Sequence, residues 1–203
     1  SALQLNGEGA GDVAGSAVAG AGDADGDGLS DFLVAAVADG ASSGSVYLLL
    51  GEATPMSRSL STGERYSGEA SDDAAGQSIS GAGDVDGDGL ADFLVGAVGN
   101  DDGGSQAGAV YLVLGSSAPK GGSLAAAIEY TGGAAEDYAS SVAAAGDVDD
   151  DGFADFLVGA YGTGGTFTGT LYVVMGSASP GGGSLPPTPQ YAGVSAADYA
   201  AYS

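Results

Sequence analysis

The chain has 203 residues, with 40 Gly, 27 Asp or Glu and only three basic residues, Arg58, Arg65 and Lys120, for a net charge of −24. No basic footprint exists for nucleic acid. Without Cys there is no disulfide framework or thiol chemistry, and without His the commonest general base is missing. No apolar run is long enough to cross a membrane as a helix. Such acidity fits a highly soluble extracellular surface, or adaptation to high salt, where self-repulsion is screened.

Internal repetition sets the architecture. Leu5-Asn-Gly-Glu8, Tyr66-Ser-Gly-Glu69, Tyr130-Thr-Gly-Gly133 and Tyr191-Ala-Gly-Val194 recur at spacings of 61, 64 and 61 residues, and seven residues after each start comes Asp12, Asp73, Asp137 or Asp198. The units run over residues 1–65, 66–129 and 130–190, with a fourth beginning at 191–203. Each unit predicts four short strands. The repeat start is the first, and the small-residue runs Gly15–Ala21, Gly76–Ala82 and Ser140–Ala145 are the second. The third is Phe32–Val37, Phe93–Val98 and Phe156–Tyr161; the fourth is Ser45–Leu50, Ala109–Leu114 and Thr170–Met175. β-branched and aromatic runs of this length, bounded by Gly, are strands. Their near-continuous apolarity requires cover on both faces, and the small-residue strand suits a place where several sheets converge. The fold class is therefore all-β. Leu124–Ile128 has helical composition but is too short to stand as a helix. The Pro-marked stretches 52–64, 116–123 and 177–189 read as surface connections, the last locally extended over Ser184–Pro189. O-linked sugar is the lesser reading of that stretch, and neither Asn6 nor Asn100 lies in an N-glycosylation sequon.

Between the second and third strands lies the chemistry. Asp23–Asp31 (DADGDGLSD), Asp84–Asp92 (DVDGDGLAD) and Asp147–Asp155 (DVDDDGFAD) place carboxylates at positions 1, 3, 5 and 9 around a Gly at position 6. A hard divalent cation takes about six to eight oxygens, which such a loop supplies. The expected side-chain ligands are Asp23, Asp25, Asp27 and Asp31; Asp84, Asp86, Asp88 and Asp92; and Asp147, Asp149, Asp151 and Asp155. The carbonyls of Leu29, Leu90 and Phe153 add a ligand at position 7. One such run would pass for a solvated turn. Three in register, each followed by the same apolar run, predict three Ca2+ sites, because four carboxylates in one loop repel unless a cation sits among them. Oxygen ligands argue against zinc and copper, and so many carboxylates against magnesium. The loop is not an EF-hand: position 12 is Val34, Val95 or Val158 rather than Glu, and the flanks are not helices. Filling three sites would still leave the chain strongly acidic.

A calcium loop between a small-residue strand and a Phe-Leu-Val strand, repeated about every 60 residues, resembles the FG-GAP repeats of integrin α-subunit β-propellers and their relatives. The resemblance covers nearly the whole chain. It implies blades of four-stranded antiparallel sheets of β-propeller type, with the loop joining the innermost strand to the next one out. The family's Phe-Gly pair is Ala14-Gly15, Ala75-Gly76 and Ala139-Ser140 here, and its Gly-Ala-Pro is Ala35-Ala-Val37, Gly96-Ala-Val98 and Gly159-Ala-Tyr161. Three blades do not close a ring. The expectation is a stretch of a longer repeat chain, with any leader outside it, or a part-ring completed by association, or an open stack in a filament.

An enzyme is not expected. Ser–Lys chemistry would need Lys120, which lies in a Gly-rich loop, and metal-assisted hydrolysis needs an open coordination position, which these repeated loops do not suggest. The leading expectation is a calcium-stabilised structural or adhesive module, extracellular or at the cell surface. Its partners would be other repeats of the same or a neighbouring chain, with no nucleic acid and no membrane insertion. The alternatives are a propeller that recognises protein or glycan and a subunit of a surface filament. Of ten Tyr, seven fall on strands and repeat starts, leaving Tyr138, Tyr199 and Tyr202 without an assigned role.

Overall fold

The computed structural model describes residues 2–162, 168–186 and 191–192. The first repeat contains β1 (Leu5–Asn6), β2 (Ala14–Gly22), β3 (Asp31–Ala36), β4 (Ser45–Leu49) and β5 (Arg58–Ser59). The second contains β6 (Glu64–Ser67), β7 (Ala75–Gly83), β8 (Asp92–Ala97), β9 (Ala109–Val113) and β10 (Gly122–Ser123). The third contains β11 (Ile128–Thr131), β12 (Ala139–Gly146), β13 (Asp155–Ala160), β14 (Thr170–Val174) and β15 (Gly183–Ser184), and β16 (Tyr191–Ala192) opens the next. Helical structure among the described residues is limited to a single turn at Asp39–Ser42 and two 3-10 turns. The fold is all-β. The expected fourth repeat beyond Ala192, with Asp198, Tyr199 and Tyr202, lies outside the described residues, as do residues 187–189 of the Pro-marked stretch.

Three sheets follow the repeats, but each takes its outer strand from the next one. The first blade is β2-β3-β4-β6, all antiparallel, with β10 added in parallel on the outside of β6. The second is β7-β8-β9-β11 with β15 added in parallel, and the third is β12-β13-β14-β16. The repeat starts at Tyr66 and Tyr130 are thus the outermost antiparallel strands of the preceding blades. The connections after the fourth strands are more ordered than bare loops. Ser59 and Ser123 each accept a hydrogen bond from the N–H two residues on, capping 3-10 turns that bury Leu60 and Leu124. Leu124–Ala126 is thus a single turn rather than a helix. The short β5, β10 and β15 segments lie over the otherwise open edges of β1, β6 and β11.

Alternation along the apolar strands sends large side chains to both faces of a sheet. In the first blade Leu33, Ala35, Val46 and Leu48 point into a core shared with Ile79, Phe93, Val95 and Tyr111 of the second. In the second, Leu94, Val110 and Leu112 point into a core shared with Phe156, Val158 and Tyr172 of the third. Within these cores Tyr66 meets Phe93, and Tyr130 meets Phe156, edge to face, with ring centroids 5.3 and 5.4 Å apart. Each such ring pair contributes about 0.5–1.5 kcal/mol beyond its burial. The innermost strands β2, β7 and β12 lie side by side, and their small residues permit this. A Cβ on Gly81 would come within 2.6 Å of the Gly20 carbonyl oxygen, whereas one on Gly20, the same position in the first blade, would meet nothing. Where the resembling family has Phe, Ala75 and Ala139 are fully buried against the preceding blade's β3–β4 or β8–β9 connection.

The Gly81–Gly20 contrast is testable. In dilute protein Gly81→Ala is expected to lower stability by about 1–3 kcal/mol through overpacking. Gly20→Ala is expected to leave it unchanged or slightly raised. Denaturant unfolding of the two variants checks this, and equal effects would contradict the observed blade packing.

Candidate metal centres

Each Asp loop is wound by its own carboxylates. Asp23 accepts hydrogen bonds from the N–H groups of Gly26 (2.8 Å) and Gly28 (2.9 Å), and Asp84 accepts from Gly87 (2.7 Å), Asp88 (3.0 Å) and Gly89 (2.9 Å). Asp147 accepts from Asp151 (3.0 Å) and Gly152 (2.9 Å). At position 5, Asp27, Asp88 and Asp151 accept from the N–H groups of Leu29, Leu90 and Phe153. These Asx-type bonds curl the backbone so that the acids converge. Oxygens of Asp23, Asp25 and Asp27 lie within 4.8 Å of one another, as do those of Asp84, Asp86 and Asp92, and those of Asp147, Asp149 and Asp151. Asp31, Asp88 and Asp155 stand outside these closest groupings. A set made only of carboxylates, with no Lys or Arg paired into it, fits a hard divalent cation.

Position 9 does something further. Asp31, Asp92 and Asp155 are buried, and both oxygens of each accept backbone N–H groups. One oxygen takes the N–H of position 2, from Ala24, Val85 or Val148, at 2.7–2.8 Å. The other takes the N–H of Gly51, Gly115 or Gly176, at 2.7–2.8 Å, and so ties the loop to the end of the blade's third strand. Burial pushes the Asp92 carboxyl up to about 6, with the charges of Asp86 and Asp84 adding to it against the two N–H bonds. Asp31 is raised for the same reasons. A cation among these carboxylates would favour their charged forms.

The loops also carry the contact between blades. The carbonyl of Asp23 accepts the N–H of Ala91 in the next blade (3.0 Å), and that of Ala24 accepts Ser116 (2.9 Å). One blade on, the carbonyl of Asp84 accepts Ala154 (2.9 Å) and that of Val85 accepts Ser177 (2.9 Å). Position 1 of a loop therefore turns its side chain to the loop's own acids, position 2 (Ala24 or Val85) buries its side chain in the core between blades, and both face the next blade with their carbonyls.

A second acidic group lies outside the loops and was not anticipated. Oxygens of Glu69, Asp102 and Glu129 lie within 4.8 Å of one another in the second blade. Burial pushes Glu129 up to about 7, helped by the charges of Glu69 and Asp102. Beside it Asn100 donates to Tyr111 Oη (3.0 Å) and to Glu129 Oε1 (3.3 Å). The first blade solves the same place differently. Arg65 pairs across the strand with Tyr47 as Glu129 does with Tyr111. Its guanidinium binds Asp39 at 2.7 Å, while Tyr47 donates to Glu8 at 3.0 Å. The signal was present in the sequence, since Arg65 and Glu129 each immediately precede a repeat-start Tyr. Asp73 and Asp137, the recurring Asp seven residues into each repeat, are buried and accept the N–H groups of Ala70 and Ala134 at 2.8 Å, closing a turn. Tyr138, which the repeat pattern left unassigned, stacks on Tyr161 with centroids 4.9 Å apart.

The sequence pattern of the FG-GAP repeat family matches residues 75–113 and 138–174. Those spans cover β7 to β9 and β12 to β14, each with its Asp loop. Comparison with the curated proteins finds no match. FG-GAP repeats are structural and binding modules of β-propeller blades and often bind calcium.

Glu129 binds a proton in the folded chain at pH values where the unfolded chain has released it, so stability falls as pH rises from about 4.5 to about 7. Asp92 acts in the same direction up to about pH 6. In chelator the melting temperature is therefore expected to rise on acidification from about pH 8 to about pH 5. Glu129→Arg, which copies the first blade, is expected to raise stability near neutral pH by about 1 kcal/mol and to flatten that profile. Thermal melts of both proteins across this range check it.

Proposed function

We propose that this chain is a calcium-stabilised structural or adhesive module that works outside the cell or at its surface. The observation that carries this reading is the double duty of the Asp loops. The segment whose carboxylates converge on one point is also the segment whose carbonyls hold the next blade. In each loop the four carboxylates, with the carbonyl of Leu29, Leu90 or Phe153, would hold the ion. A bound ion removes the repulsion within the loop and so steadies the blade contact.

Extracellular calcium, near millimolar, fills even weak sites of this kind. The repeats are binding units rather than catalytic ones, and no chemistry beyond ion and partner binding is assigned to them. Among the described residues no helix is long and apolar enough to cross a membrane.

The test is thermal unfolding in calcium against excess chelator at constant ionic strength. With free calcium at about a hundred times its dissociation constant, each filled site adds about 2.7 kcal/mol. Three sites should therefore raise the melting temperature by many degrees. Calorimetric titration should give three ions per chain, and two for the Asp84→Asn, Asp86→Asn double variant. Because the ligands must be deprotonated, calcium affinity should weaken below about pH 6. The same melt in calcium and in chelator would rule out a structural role for the ion.

A further inference from the structure

We infer that the cavity beneath the connection from β9 to β11 binds a small amphiphilic carboxylate, with its alkyl chain among apolar side chains and its head on Lys120. The connection leaves β9, lays β10 along β6 of the first blade, and returns to β11. It roofs a cavity of about 600 Å³ between the two blades. Tyr66, Leu112, Val113, Leu124 and Ile128 give it an apolar wall. Lys120 is the one charged residue that lines it, with Ser116 and Ser123 as the polar residues beside it. Small-molecule sites have this make-up, and volumes of about 300–1,000 Å³.

The roof is fixed in advance. Ser116 donates its N–H to the Ala24 carbonyl at 2.9 Å, and Gly121 donates its N–H to Glu64 Oε2 at 2.7 Å. Gly121 lies so close to the backbone of Arg65 in β6 that there is no room for a Cβ. That approach pins the residue next to Lys120. The turn capped by Ser123 then closes with Ala127 donating to the Leu124 carbonyl at 2.8 Å. A wall already held in place loses little freedom when a ligand enters, which favours binding.

The other repeats show that the lysine is no requirement of the fold. The connections align without a gap as Gly51–Tyr66, Gly115–Tyr130 and Gly176–Tyr191, and the place of Lys120 is taken by Met56 in the first and Gly181 in the third. All three lie over cavities, of about 300, 600 and 260 Å³ in chain order. The first cavity also has a cation in its lining, Arg58, but Glu52 lines it too and pairs with that arginine. Lys120 has no ion pair among the described residues. Glu64, which holds Gly121, does not line the cavity. A lysine stem covers apolar surface while its ammonium stays at the mouth, so the site offers an apolar body and a positive end together. The chain's net charge of −24 repels anions from the rest of its surface, which leaves this place to select one.

Amide-detected NMR titration of the isotope-labelled full chain with sodium octanoate tests this, at about 0.15 M salt, where the field of the whole chain is screened beyond about 8 Å. Shifts should centre on Gly121, Gly122, Leu124 and Ile128. Hexanoate, two methylenes shorter, should bind about tenfold more weakly. Lys120→Met, which copies the first repeat, should weaken octanoate binding about fivefold and leave the melting temperature unchanged. Lys120→Arg should retain the binding. Octan-1-ol, the same chain without a charge, should bind the Lys120→Met variant and the unaltered protein equally. Shifts that are absent from the cavity, or scattered over the surface, would overturn the inference. So would an octanoate affinity indifferent to Lys120 or to chain length.

Discussion

A sheet with large apolar side chains on both faces cannot bury them alone, and everything else in this molecule answers to that constraint. Leu33 and Leu48 leave one face of the first blade and Val34 and Tyr47 the other. The first set is buried only because Phe93 and Tyr111 of the second blade arrive against it. Fully burying one such side chain contributes about 1.5–3 kcal/mol, so the cores between blades outweigh any single hydrogen bond or ion pair on the surface. Small residues in β2, β7 and β12 follow from the same requirement. Blades that converge towards one line leave no room for side chains where they meet.

The Asp loops sit at the edge of this apolar contact and bring charge to it. Without a cation, three or four carboxylates share a small volume beside a buried strand end, and burial already lifts Asp92 to about 6. The backbone N–H groups that wind each loop offset part of that cost. The two carbonyls that bridge to the next blade make the arrangement cooperative, because any shift in the loop moves the junction. Glu69, Asp102 and Glu129 show the same tension without a loop around them. In the first blade Arg65 relieves it at the corresponding place.

Much of this was legible in the sequence. The strand runs fell where alternation and Gly boundaries put them, within a residue or two, since period and flanking turns are local properties. The Asp spacing showed which side chains converge. It could not show that position 9 gives both oxygens to backbone N–H groups, because one donor lies about twenty residues away at Gly51, Gly115 or Gly176. Nor could spacing reveal that Tyr66 and Tyr130 finish the preceding blade, which is a matter of pairing and not of pattern. The 3-10 turn at Leu60 hid inside a stretch that composition marked as a plain connection, whereas the one at Leu124 opens the run singled out for its helical composition. In both, a buried Leu follows a capping Ser.

The offset between repeat and blade has a mechanical meaning. Because β6 and β10 come from the second repeat and complete the first blade, no repeat can be lifted out without opening its neighbour's edge. A chain under tension would therefore load strands that belong to two sheets at once. It would come apart in order from an end rather than at a weak middle blade. That stitching would let force spread along the array before any one blade gave way.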